Sequence, residues 1–208
     1  AFILDAATAS VDLGDGDTND VLIMSAYPHE GVGTPDNPGW EDATRFGRGS
    51  ILNNSRWYPY PYPVAISVAG VVGGMEYPMM TLIGGDRTDP SLFSVTYHEI
   101  AHMWFPMMVG SNEKAFTWMD EGLTSYNTNQ GIAAFWDGSS PDREKIDAWA
   151  RLRQSHYLLA GSGYAIPAMR HNDRYPIGGG TRQVDPVGGA ARGVASYSTP
   201  AVALHALR

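Results

Sequence analysis

The sequence predicts an α+β domain: a small mixed sheet with an edge strand over residues 1–90, then a mainly helical half over residues 91–208. Three observations carry this. Before residue 90, short apolar runs rich in β-branched residues recur between clusters of Gly, Pro and Asp. Beyond it, apolar residues follow helical spacing behind Pro90, Pro141 and Pro200, each suited to a first helical position. Finally, Pro78 closes a strand-like run and cannot donate within a central ladder, so that strand belongs at an edge.

Residues 1–3 and 21–27 read as short strands. Between them, Asp15, Asp17 and Asn19 imitate the start of a calcium loop. Asp20 stands where such a loop needs Gly, and Ala26 where it needs a bidentate Glu, so the stretch reads as an acidic turn. Residues 31–39 form a Pro/Gly loop. Trp40, Ala43, Phe46, Ile51 and Leu52 then follow approximate helical spacing, weakened by Gly47 and Gly49, and predict a helix covering one sheet face. The run YPYPYP at 58–63 is extended, because each Pro fixes its own φ and disfavours helix in the residue before it. It reads as a rigid surface connector to a central strand at 64–72.

GGMEYP at 73–78 follows. Gly73 and Gly74 allow close backbone approach, and an exposed edge is where an extended peptide can add as another strand. Glu76 would then present a carboxylate near the first residue of that peptide. After the apolar run 79–83, Asp89 and Pro90 start a buried helix bearing Leu92, Val95, Ile100, Met103 and Trp104, which Pro106 ends. A loop at 110–116 leads to a helix from about Thr117 to Trp136, with Gly131 a weak point, and Ser140 opens another to about Ala160. Residues 161–193 are Gly/Pro-rich, and GGG at 178–180 lacks the following helix that a phosphate cradle needs. A last helix begins near Pro200, capped by Ser198 or Thr199.

The chemistry concentrates between Tyr97 and Tyr126. His98, Glu99 and His102 form HExxH, and Glu121 follows after eighteen intervening residues. Four residues is one helical turn, so both imidazoles reach one metal ion while Glu99 stands beside it, able to take a proton from bound water. Glu121 is the best candidate for a third ligand from a second element. Two His, one Glu and an open position describe a catalytic zinc site, whereas closed structural sites usually include Cys, absent from this chain. By composition alone HExxH should arise roughly 0.006 times per such chain. Asp120, beside the proposed ligand, could hold an imidazole in place. Glu113 lies too near His102 for the Asn-Glu pattern of thermolysin-type enzymes and reads as a surface residue. His29, His156, His171 and His205 lack partners at ligand spacing.

These residues resemble the gluzincin aminopeptidases, the family of aminopeptidase N and leukotriene A hydrolase. That family carries HExxH, eighteen residues, then Glu, with a W-x-x-E-G helix like residues 118–122 here. The resemblance implies a zincin-like (thermolysin-like) catalytic domain over 1–208, one zinc ion, and a peptide substrate with a free N-terminus. GGMEYP matches the family motif G-x-M-E-N, which implies that Gly73, Gly74, Met75 and Glu76 bind substrate, with Glu76 holding its α-amino group. Tyr77 replaces the family Asn, and its bulkier ring is expected to narrow the pocket. By position, Tyr197 matches the tyrosine whose hydroxyl serves the reaction intermediate, although Thr199 and Pro200 replace the usual Lys-Gly. Glu99 is the general base.

A net charge of −8 argues against nucleic acid and anionic membrane surfaces, and no apolar run approaches a membrane span. Neither compartment nor oligomeric state is fixed by the sequence, though secreted or periplasmic placement is compatible with the resemblance. The chain starts within an apolar stretch and ends inside a helical pattern, which reads as a piece of a longer multidomain chain. Two rivals stand beside the aminopeptidase reading: a thermolysin-type endopeptidase, and a zinc-holding lobe that binds peptides or partners with little turnover.

Overall fold

A computed structural model describes residues 1–88, 91–114, 116–135, 196–197 and 199–207 of the chain. The architecture is α+β, and the chain divides into two compact units, Ala1–Met103 and Trp104–Arg208.

The first unit is built on β1 (Phe2–Gly14), β2 (Asp17–Pro28), β3 (Val64–Gly70), β4 (Gly74–Tyr77) and β5 (Met80–Gly84). They form one mixed sheet in the order β1-β2-β3-β5-β4, with antiparallel pairs at both ends and parallel pairs between. β3 is central and β4 lies at an edge, as the sequence predicts. The first two strands are much longer than expected, at 13 and 12 residues. The alternation that lengthens them is visible in Ala9, Val11, Val21 and Ile23, all buried on one face. Their acidic connection is a turn. Asp15 and Gly16 both take positive φ (55° and 87°), the pattern of a two-residue hairpin loop, and Asp12 Oδ1 accepts the Gly14 N–H at 2.8 Å.

Helix α1 (Ala43–Asn54) covers the sheet face carrying those buried residues. A buried 2.6 Å hydrogen bond joins Ser25 on β2 to Thr44 on α1. Gly47, which costs helix propensity, is what lets α1 seat: a Cβ there would stand 3.1 Å from Ile23 Cγ2. Helix α2 (Ser91–Ala101) packs on α1, β4 and β5. An aromatic ladder links the helices, Phe46 to Phe93 at 5.3 Å and Phe93 to Tyr97 at 5.9 Å between ring centroids. This packing carries the sheet-bearing unit past the expected boundary at residue 90 to Met103. The helix stops at Ala101, before Pro106. A widened turn over Met103–Met108 follows, broken at Phe105, whose φ and ψ are −132° and 110°. The expected cap and first turn at Asp89 and Pro90 lie outside the described residues.

The YPYPYP run differs from a surface connector, because Tyr60 is fully buried. Its hydroxyl donates to the Val64 carbonyl at 3.0 Å, and the Asn19 side-chain amide donates to the Tyr60 and Tyr62 carbonyls at 2.9 Å each. The segment is therefore packed down as a strap.

In the second unit a widened turn, Trp118–Gly122, runs into α3 (Leu123–Phe135), which passes through Gly131 unbroken. Helix α4 (Thr199–Ala206) packs on both. A Cβ on Gly122 would lie 2.4 and 2.6 Å from Pro200 Cγ and Cβ and 3.1 Å from the Ser196 carbonyl oxygen. Trp136, the expected helix from Ser140, the Gly-rich stretch 161–193 and Ser198 lie outside the described residues. Among those described, no helix is long and apolar enough to cross a membrane.

Candidate metal centre

Within the first unit, α2 brings the HExxH side chains together. His98 Nε2 and His102 Nε2 stand 3.2 Å apart, with the rings nearly perpendicular at 88°. The His102 N–H still donates to the His98 carbonyl at 3.3 Å, so the helical turn that sets this spacing survives past the last residue of α2. His102 is fully buried, Glu99 is 6% exposed, and His98 is half-buried.

The edge strand supplies the next carboxylate. One ligand-capable atom from each of Glu76, Glu99 and His102 lies within 4.8 Å of the others. Gly74 explains how close the strand comes: a Cβ there would meet Glu99 Oε1 at 2.3 Å and Val95 Cγ1 at 3.2 Å. The close approach read from the glycine pair is therefore made at Gly74, against Glu99. Gly73 is exposed at the lead-in to the strand, and Met75 pairs with Leu82. Tyr77 pairs with Met80 and is 44% exposed. Alternation puts its side chain on the sheet face opposite Glu76, so its ring does not narrow the Glu76 side as expected. The Met79 N–H donates to Met103 Sδ at 3.1 Å, tying the β4–β5 turn to the residue after His102.

Within the second unit, the Tyr197 hydroxyl donates to Glu121 Oε1. Pro200, on the first turn of α4, sits against Gly122, directly after Glu121. Asp120 is 4% exposed and thus buried beside the proposed ligand. Glu113 is exposed, in keeping with its reading as a surface residue, and His29 is exposed too. His156, His171 and the His205 side chain lie outside the described residues.

Tyr97, one residue before the motif, faces α1. Burial pushes its hydroxyl up to about 12, while the 2.6 Å hydrogen bond from Asn53 Nδ2 acts in the opposite direction. Sequence reasoning passed over Arg87, whose Nε donates to the Gly73 carbonyl at 3.2 Å and whose Nη1 donates to Ser91 Oγ at 2.9 Å. The available signal was its place as the one basic residue between the last strand run and the HExxH helix.

A histidine-bearing helix packed beside a glutamate-bearing edge strand, in an α+β unit, is compatible with the resemblance to the gluzincin aminopeptidases. Over about half of its length the chain is similar in sequence to zinc aminopeptidases of the M1 type. It is 42% identical over 103 residues to aminopeptidase B of Homo sapiens, a match covering 47% of this chain and 15% of that protein. It is 29% identical over 105 residues to leucine aminopeptidase 2-1 of Meyerozyma guilliermondii, covering 48% and 17% respectively. The matches thus span less than a fifth of the length of these curated relatives. Among solved structures, a mutant M1 zinc metallopeptidase from Deinococcus radiodurans shares the fold, with a TM-score of 0.50 and 22% identity over 99% of this chain and 40% of that one. No family model matches the chain.

Proposed function

We propose that this chain is a zincin-like catalytic domain of a zinc aminopeptidase, which hydrolyses the N-terminal peptide bond of substrates with a free amine. The supporting observation is the cluster of Glu76, Glu99 and His102 within 4.8 Å, on two elements of one unit. The donor set suits zinc, because two imidazole nitrogens 3.2 Å apart on one helix can both turn lone pairs to a single cation. His98 and His102 would hold the ion, with Glu121 as third protein ligand by its motif spacing. When bound, zinc supplies Lewis acidity and brings the pKa of a coordinated water to about 7.

The chain's own residues do the rest. Glu99, largely shielded from solvent, takes a proton from the attacking water and passes it to the leaving amine. Tyr197 donates its hydroxyl to the carbonyl oxygen as negative charge develops there. Glu76 holds the substrate ammonium by a charge-assisted hydrogen bond, and the backbone from Gly73 to Met75 offers an edge along which the peptide lies extended. A free N-terminus then fixes which bond reaches the water.

Hydrolysis of an alanyl or leucyl chromogenic amide, lost with chelator and restored by zinc, is the expected result. Glu76→Ala should erase the preference for free-amine over N-acetylated peptides. An unchanged preference rejects the amine-anchor role, and internal cleavage of blocked peptides by the unaltered protein rejects the aminopeptidase reading in favour of an endopeptidase.

A further inference from the structure

We propose that Arg87 is a positioning residue for amine recognition, fixing the edge strand that carries Glu76 against the helix that carries Glu99. This rests on the amine-anchor reading of Glu76. Strand β4 has four residues and one neighbour, β5, and the turn before it is open: Val71 is fully exposed and Val72 and Gly73 are exposed as well. A strand so short and so placed has little of its own to set its position. What holds its lead-in is the Gly73 carbonyl, which accepts from the Gly84 N–H at 3.3 Å and from Arg87 Nε at 3.2 Å. The same guanidinium reaches Ser91 Oγ, on the first residue of α2, at 2.9 Å. Arg87 is itself half-buried, and its backbone N–H donates to the Gly84 carbonyl at 3.4 Å.

One rigid fork therefore joins the strand to the helix. The geometry suits Arg, whose planar donors point to two acceptors at once, and Lys cannot reproduce it with one ammonium. Only two residues separate Gly73 from Glu76, and Gly74 already lies against Glu99, so a small slip at Gly73 moves the ammonium-binding carboxylate relative to the base. Misplacement by about 1 Å can cost up to ~10²-fold in rate.

The test compares zinc-loaded protein with Arg87→Ala and Arg87→Lys. Arg87→Ala should bind zinc with unchanged stoichiometry but lose about tenfold in kcat/KM on a free-amine peptide, with a smaller loss on its N-acetylated form. Arg87→Lys should recover only part of that loss. Amide hydrogen exchange should quicken across Gly74–Tyr77 in Arg87→Ala while the amides of β3 keep their protection; a merely destabilised unit would quicken both. Equal losses on both peptides, or uniform exchange, overturn the positioning role. If the unaltered protein shows no preference for free amines, the Glu76 reading fails on its own, and unchanged exchange across β4 in Arg87→Ala would then remove the mechanical part as well.

Discussion

Gly122→Ala tests how closely α4 seats against the turn that carries Glu121. The new methyl would stand 2.4 Å from Pro200 Cγ, 2.6 Å from its Cβ and 3.1 Å from the Ser196 carbonyl oxygen. Carbon atoms pack at about 3.5–4.0 Å, so the two ring contacts are each about 1 Å or more too short. A proline ring cannot rotate away, which puts the overpacking cost at the upper end of its usual range, about 3 kcal/mol. Replacing Gly by Ala in a helical segment returns about 1 kcal/mol, leaving a net loss of about 2 kcal/mol. Pro200→Gly removes both clashing ring atoms and leaves the Ser196 contact. Denaturant unfolding of the four proteins in this cycle, followed by tryptophan fluorescence, should give a coupling of about 3 kcal/mol between the two sites, because the propensity gain is common to both backgrounds and cancels. If Gly122→Ala costs the same with and without the Pro200 ring, the seating argument is refuted.

Glu99→Ala should lower kcat by about 10²–10⁴-fold while zinc content, measured by metal analysis, stays near one per chain. Residual activity within about tenfold would count against a general base. Glu121→Ala should weaken zinc binding by more than about a hundredfold in competition with a chelator, and full retention of affinity would remove it from the ligand set. The buried Tyr97 hydroxyl makes a pH prediction. Its folded pKa is raised from 10.0 to about 12, so the fold favours the neutral phenol; that contribution is whole below pH 10 and is lost as pH rises to 12. The loss is about 2–3 kcal/mol, and it should shrink in Tyr97→Phe, though burial also raises Tyr60 and Tyr27 in the same direction. An identical slope in the variant would show that Tyr97 is not its source.

Features governed by local chemistry were legible in the sequence. Pro78 and the glycine pair marked β4 as an edge, and the four-residue histidine spacing marked one helical face. The acidic turn followed once the calcium pattern broke at Asp20 and Ala26. Features governed by distant partners were not legible. Tyr60 looked exposed among its prolines because nothing nearby indicates that Asn19, 41 residues earlier, grips its carbonyl. The length of β1 was hidden because Ala6, Ala7 and Ser10 have modest strand preference and are held by pairing with β2. The helix end was placed at Pro106 by the rule for proline, whereas α2 stops at Ala101 and a widened turn follows. Among the site residues, Glu76, Glu99 and the histidines announced themselves by motif. Arg87 did not, since its importance lies in which carbonyl it reaches.

Gly74 has a consequence for how this protein could be altered. It meets the Glu99 carboxylate with bare main chain, whereas positions 75 and 77 alternate away from Glu76 along the strand. The side chain at 77 points to the face opposite Glu76, so a library built there would change the outer face of the strand with little disturbance to the Glu99 carboxylate. Diversity placed at 74 itself would strike the Glu99 carboxylate directly.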